Sequence, residues 1–279
     1  MLQAADRCYV VLDDRKNKSL QQLIQSASST NSANLFQLSL GDSPSMEEYH
    51  HGVRIGSLSA LADELNSAAI HSVRSYDSVA SARVLAAQTR RADLSGPALQ
   101  DVHYKVGVFL GNRLMDTFPH FFLSSSTSFV HVNGNSFEGA IPSRKVLILP
   151  LMRGGEPMAR GVYACFPHAK FVHFWDNNAR TKDDVETQLG SVDDVVFVDS
   201  VINGGASSRS VLQWMEDRMA SRGANHLRLY FLAGVIQHQT ATVLPKEFPR
   251  VRFLALRVSS NKYQGKGGTD TGNRLFGIL

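Results

Sequence analysis

The feature that most constrains this chain is a series of short, continuously apolar segments separated by stretches with helical spacing. Between residues 144 and 258 these segments read "RKVLILPLM", "AKFVHFWD", "DVVFVDS", "HLRLYFLAGV" and "RVRFLALRV". A strand with one wet face alternates apolar and polar residues, whereas a strand covered on both faces does not. "GEPMARGVYACF" and "SSRSVLQWMEDRMASRG" lie between them and read as helices. In the second, Val211, Leu212, Met215 and Met219 fall on one face. The fold class expected is α/β, a mainly parallel sheet flanked by helices. Ligands of such sheets gather outside the carboxyl ends of the strands, so the loops there are where chemistry is expected.

Upstream, "SGPALQDVHYKVGVFLGNRLMDTF" reads as one long helix, with Ser95 as N-cap and Pro97 in the first turn. Leu99, Val102, Val106, Leu110 and Leu114 recur at helical spacing, and His103 among them reads as a core or surface histidine. Residues 1–70 are rich in Ser, Asn and Gln and form an N-terminal extension of unknown role; residues 71–279 are expected to be one domain. In the extension, "RCYVVLDD" reads as a strand and "SLSALADELNSAAIHSV" as a helix.

Composition narrows the function classes. The 279 residues carry a net charge of +4 without a stripe of Lys and Arg, so no nucleic-acid partner is expected. The two cysteines, Cys8 and Cys165, make no CxxC and no Cys/His ligand spacing, which argues against a thiolate metal site. No apolar run approaches the roughly 20 residues of a membrane span, and the N-terminus lacks the apolar core of a signal peptide. A cytoplasmic protein without membrane partner is the expectation.

Three loops carry groups suited to one kind of ligand. After "VLILPLM" comes Arg153, whose planar fork matches phosphate oxygens, followed by Gly154 and Gly155, which let a backbone approach a ligand. After "VVFVD" comes "SVINGGASS", a turn into a helix whose first amides and dipole favour an anion. Asp199 before it can accept from sugar hydroxyls or hold magnesium through water. The turn is not GxGxxG and has no Walker A lysine. After "RFLALRV" comes the glycine-rich tail "SSNKYQGKGGTDTGNRLFGIL", with Asp270, Asn273 and Arg274. Such a segment can present backbone donors and acceptors to a flat heterocycle. Residues 263–279 are expected to fold back over the sheet edge on the apolar area of Leu275, Phe276, Ile278 and Leu279, which does not extend to ordering the glycine-rich stretch Gly265–Gly272; that stretch is expected to tighten when a base binds, with the Asp270 carboxylate serving the ligand rather than the core.

These residues also resemble a known family. "GGTDTGNRLFG" is similar to the C-terminal signature of uracil phosphoribosyltransferases, which commonly runs Gly-Leu-Gly-Asp-Ala-Gly-Asp-Arg-Leu-Phe-Gly. "LPLMRGGEPMARGVYACFPHAKF" resembles the family's Leu-Arg-Ala-Gly strand–loop–helix, and "LAAQTRRADLSGPALQDVHYKVGVFLGNRL" its early Leu-Arg-Asp segment and first long helix. "VFVDSVINGGAS" occupies the place of its Asp-Pro-Met-Leu-Ala-Thr-Gly-Gly loop. The resemblance implies transfer of ribose 5-phosphate from 5-phosphoribosyl 1-diphosphate to uracil, giving UMP and diphosphate, with magnesium accompanying the sugar donor. It implies that Arg153 and the amides of Gly154 and Gly155 face diphosphate and that Asp199 holds ribose hydroxyls. Asn203, Gly204, Gly205, Ala206 and Ser207 would cradle the 5-phosphate. Gly267, Gly268, Thr269 and Gly272 would hold uracil, with Asp270 near the donor and magnesium. Self-association into a homo-oligomer is left open.

The chain departs from the family pattern at both ends of that site. Asn203 stands where the family has Thr, the loop is one residue shorter, and Ala206 replaces a hydroxyl residue. "NNARTKDDVETQLGSVDD" reaches the next strand without the family's longer hood. "YQGKGG" replaces Tyr-Ile-Val-Pro-Gly, with Lys266 in place of proline. The alternative reading is a noncatalytic phosphoribosyltransferase-like protein that binds a nucleotide or a protein partner in a regulatory role.

Overall fold

The computed structural model describes residues 7–12, 34–39, 72–118, 127–142, 144–175, 178–224, 226–261 and 265–278. The chain divides into two compact units, Met1–Ala68 and Ala69–Leu279. In the first, strands β1 (Arg7–Leu12) and β2 (Asn34–Ser39) pair in parallel. The strand expected at "RCYVVLDD" is β1. The expected helix at "SLSALADELNSAAIHSV" lies outside the described residues except at its end, where Val73 instead opens a strand.

The second unit is built on six strands in the order β3–β10–β9–β8–β6–β7, every pair parallel. They are β3 (Val73–Ser75), β6 (Val146–Pro150), β7 (Lys170–Phe171), β8 (Asp194–Ile202), β9 (Arg228–Gln237) and β10 (Val251–Ser259). A separate antiparallel hairpin, β4 (Thr127–Val130) and β5 (Ser136–Gly139), turns at Asn133–Gly134 and stacks Phe129 on Phe137. It has no counterpart in the sequence reading, although Asn-Gly is the usual signal for a tight hairpin. The strand expected over 169–176 shortens to two residues plus a bridge from Phe174 to Leu151, because it lies at the sheet edge with a partner on one side only.

Helices cover both faces, which is why the central strands are apolar throughout. Alternate side chains of β8 divide between two cores: Val195 and Phe197 on one face, Val196 and Val198 on the other. The first core receives Val185 and Leu189 of α4 (Ala179–Leu189), Val211, Leu212, Met215 and Met219 of α5 (Ala206–Arg222), and Leu244 of α6 (His238–Glu247). Each of the four α5 side chains is fully buried, worth roughly 1.5–3 kcal/mol apiece before chain entropy is counted. The second core receives α1 (Ala80–Thr89), α2 (Gly96–Thr117) and α3 (Glu156–Cys165). Ser95 takes the N-cap position of α2, but its side chain makes no capping bond. At the amino end of the sheet, the fully buried Asp194 carboxylate accepts from Arg144 (3.0 Å) and Arg228 (2.7 Å), fastening β8 to its neighbours.

The tail ends in a short helix, α7 (Thr271–Phe276), that packs against α2 rather than on the sheet edge itself. Gln100 donates to the Leu275 carbonyl (2.7 Å), and Arg274 donates to the carbonyls of Leu94 (2.8 Å), Arg91 (2.5 Å) and Thr89 (3.4 Å). Leu275 is fully buried and Ile278 is half exposed, so one leucine is the tail's main apolar anchor. Leu279 lies outside the described residues.

Candidate functional site

The carboxyl ends of β6, β8, β9 and β10 border a cleft of about 720 Å³, closed on its other side by the tail and by residues 89–92. Parallel strands put all their carboxyl ends on one edge, so loops far apart in sequence converge there. Arg153, Gly154, Asp199, Asn203, Gly268, Thr269, Asp270 and Gly272 all line this cleft. Gly155, Gly204, Gly205, Ala206, Ser207 and Gly267, also singled out from the sequence, do not.

Arg153 follows β6 after a cis peptide bond from Met152. Its Nη2 donates to Asn273 Oδ1 (3.0 Å), tying the first loop to the tail. Gly154 lies so close to β8 that an added Cβ would stand 2.8 Å from Ser200 Oγ and 3.7 Å from Asp199 Oδ1, so only glycine brings this backbone against the aspartate. The Gly155 amide donates to the Leu151 carbonyl (2.9 Å) and Gly155 is buried under α3, which removes it from the cleft's donors.

Asp199 follows the wholly buried run Asp194–Val198 of β8 and is itself partly buried. Burial pushes its carboxyl up to about 7, with the Val201 and Ser200 amides opposing the shift. Beyond it the chain turns through Asn203–Gly205 into α5. Gly205 adopts φ +77° at the N-cap. The carbonyls of this turn are all engaged: Thr240 donates to Asn203 O (2.5 Å), the Arg209 side chain donates to Gly204 O (2.5 Å) while pairing with Glu247 (2.6 Å), and the Arg209 amide donates to Gly205 O (2.8 Å). The first amides of a helix have no intrahelical acceptor, so those of α5 remain for an anion.

In the tail, Asp270 is the N-cap of α7: its Oδ1 accepts from the Asn273 amide (2.9 Å). Asn273 in turn donates from Nδ2 to Gly267 O (3.1 Å) and receives Arg153. The Asp270 carboxylate thus holds the tail as well as facing the cleft, which departs from the expectation that it serves a ligand alone. Asp270 followed three residues later by Asn273 is a legible capping pattern; that Asn273 meets Arg153 is not, since 120 residues separate them.

Three further residues of the cleft were not assigned to a site from the sequence. His103 is 3% exposed yet borders the cleft, and its Nδ1 has no hydrogen-bond partner among the described residues. Burial and the charge of Arg274 hold its imidazole down at about 4, so the ring is neutral at pH 7. Arg90 and Arg257 line the same cleft. No spacing rule marks them, because their meeting is made by the sheet order.

Comparison with known proteins agrees with this geometry. The family model described as "Uracil phosphoribosyltransferase" matches residues 78–278. A uracil phosphoribosyltransferase of Burkholderia pseudomallei is 24% identical over 196 residues, covering 67% of this chain and 87% of that protein. One of Metamycoplasma hominis is 26% identical over 151 residues, covering 50% of this chain and 69% of that protein. The solved structure of the AQ2163 protein from Aquifex aeolicus superposes with a TM-score of 0.55 at 16% identity, covering 72% of this chain and 96% of that one, which is a likeness of fold. The matched span runs from just before α1 to the end of α7 and takes in every loop of the cleft, and by that match the chain belongs to the uracil phosphoribosyltransferase family.

Proposed function

We propose that the cleft transfers ribose 5-phosphate from 5-phosphoribosyl 1-diphosphate to uracil, giving UMP and diphosphate. The observation that carries this reading is the convergence of Arg153, Asp199, the Asn203 turn and the Asp270 tail on one cleft of a size for a nucleotide. The C1–O bond breaks with its electron pair leaving on diphosphate. A ring nitrogen of the base bonds to C1 and releases its proton to solvent. Catalysis of such a step rests on positioning two reactants and on stabilising charge that grows on the leaving group. Arg153 and the Gly154 backbone receive that charge. Asp199 accepts from the ribose hydroxyls, and Asn203, with the first amides of α5 behind it, takes the 5-phosphate. The tail from Gly268 to Gly272 holds the flat base.

Among the described residues no cluster of three or more His, Cys, Asp or Glu forms a cage for a cation. Magnesium brought in with the sugar donor would keep most of its water and be held by substrate phosphates with one or two carboxylates. Asp270 would hold its water shell, and the ion would neutralise diphosphate charge.

The second reading, nucleotide binding without transfer, is favoured by α4, which accounts for the segment between β7 and β8 with no hood strand among the described residues. One experiment separates the two. Purified protein is incubated with the sugar donor, magnesium and each common base, and nucleoside monophosphate is sought by chromatography. UMP formed from uracil and lost in Arg153→Ala supports transfer. UMP binding by calorimetry with no turnover supports the second reading, and neither binding nor turnover overturns both.

A further inference from the structure

Arg257 lies near the carboxyl end of β10, where it pairs with Val235 of β9; Val235 pairs with Val201 of β8. Neighbouring strands are about 4.8 Å apart, so β10 runs roughly 14 Å from β6, the strand that ends at the Arg153 loop. Arg257 therefore stands on the opposite side of the cleft from the diphosphate loop. It also lines a second groove, of about 640 Å³, between β10 and α1, and Arg90 lines both spaces with it.

Arg257 is partly buried and makes no hydrogen bond or ion pair with a carboxylate among the described residues. Asp77, the acidic group acting on it, gives its Oδ2 to the Val258 amide (3.1 Å). Burial and the Arg90 charge both press the Arg257 guanidinium downward from its ordinary value. Elsewhere in the cleft, His103 keeps a buried Nδ1 without a partner among the described residues. A cation withdrawn from water beside a second cation is unfavourable for the empty protein; an anion joining them reverses the sign.

We propose that Arg257 and Arg90 form a second anion subsite, on the β10 side of the cleft, for a carboxylate or phosphate group that is neither the diphosphate nor the 5-phosphate of the donor. The inference rests on the transferase reading for the placement of those other two anions. The group has two sources: a carboxylate borne by the acceptor base, or a phosphate of a separate nucleotide that regulates the site. The Arg257 fork suits either, and Arg90, which is exposed and gives its Nε to the Ala86 carbonyl (3.0 Å), adds its two Nη groups.

The test is titration calorimetry on the full chain with two probes. Uracil 6-carboxylate is compared with uracil, and uridine triphosphate is titrated onto protein saturated with UMP. At least one probe binds: the carboxylate at least tenfold tighter than uracil if the acceptor is the source, the triphosphate in addition to UMP if a separate nucleotide is. Arg257→Gln weakens that probe at least tenfold, Arg257→Lys less so, and UMP binding changes less than twofold. Arg257→Gln also keeps or raises the melting temperature, because it removes a partly buried cation beside Arg90. The proposal is overturned if neither probe binds, if Arg257→Gln leaves the bound probe unchanged, or if it weakens UMP by the same factor. A melting temperature that falls by several degrees with probe binding intact makes Arg257 structural and overturns it too. A protein that forms no UMP yet loses its probe in Arg257→Gln keeps the subsite and loses the transferase reading, so the two failures are distinct.

Discussion

Replacing Asp199 by Asn should stabilise the empty protein, and only above mildly acidic pH. The folded carboxyl titrates at about 7, raised from 3.8 chiefly by burial at the end of β8. The folded protein therefore binds the Asp199 proton more tightly than the unfolded chain does. Its contribution to stability is fully present below pH 4, is lost as pH rises from about 4 to about 7, and is constant above that. Three pK units at 1.36 kcal/mol each set a ceiling of about 4 kcal/mol on the cost at pH 8. Asp199 opens onto the cleft, and water there screens the charge, so about 2 kcal/mol is the expected size. A unit of this size gains about 2–4 °C per kcal/mol, so Asp199→Asn should melt about 4–8 °C higher at pH 8 and within about 1 °C of the parent near pH 4. Thermal unfolding followed by circular dichroism across that range is the assay. A pH-independent difference, or an Asn variant that melts lower at pH 8, would refute the reasoning, since either means the carboxylate is held by a favourable partner in the empty protein. A ribose hydroxyl that donates to Asp199 favours its ionised form, so donor binding near pH 6.5 should release a fraction of a proton, read from the buffer dependence of the calorimetric heat.

Asp194→Ala leaves Arg144 and Arg228 against an emptied buried site and should cost about 3–5 kcal/mol, seen as a shift in the urea midpoint, with UMP affinity unchanged because the site is at the other end of the sheet. Asp270→Ala removes the cap of α7 and should cost about 1 kcal/mol while weakening donor binding, through the loss of the anchor that holds Asn273 against Arg153; equal donor affinity in the variant would confine Asp270 to capping. Asn203→Thr restores a hydroxyl donor beside the start of α5 and should tighten UMP roughly tenfold, the worth of about one charge-assisted hydrogen bond, measured by calorimetry.

The sequence by itself determined the layers. Strands apolar at every position, alternating with segments that bury one stripe, have few homes other than a parallel sheet covered on both sides, and β6, β8, β9 and β10 are where those runs lie. It also marked Arg153, Asp199 and Asp270, because a strand's end and the turn after it are local features. The edge strand β7 was legible but overlong, while the hairpin β4–β5 and the short helix α7 were not legible in the same way: each is a few residues long, too short for a period to declare itself.

Tertiary structure alone decided which chemical groups meet. Sheet order sets Arg257 across the cleft from Arg153, and burial, aided by the Arg274 charge that the tail brings near, makes a histidine of a core-facing helix a neutral residue bordering the cleft. It also withdrew expected donors, since the Gly155 amide is spent on Leu151, and it gave Asp270 a capping bond that the sequence reading had left to a ligand. The physical reason is range: strand and helix patterns are set by neighbours a few residues away, whereas burial, hydrogen-bond partners and the titration of a carboxyl depend on groups that only the folded sheet brings within a few ångströms.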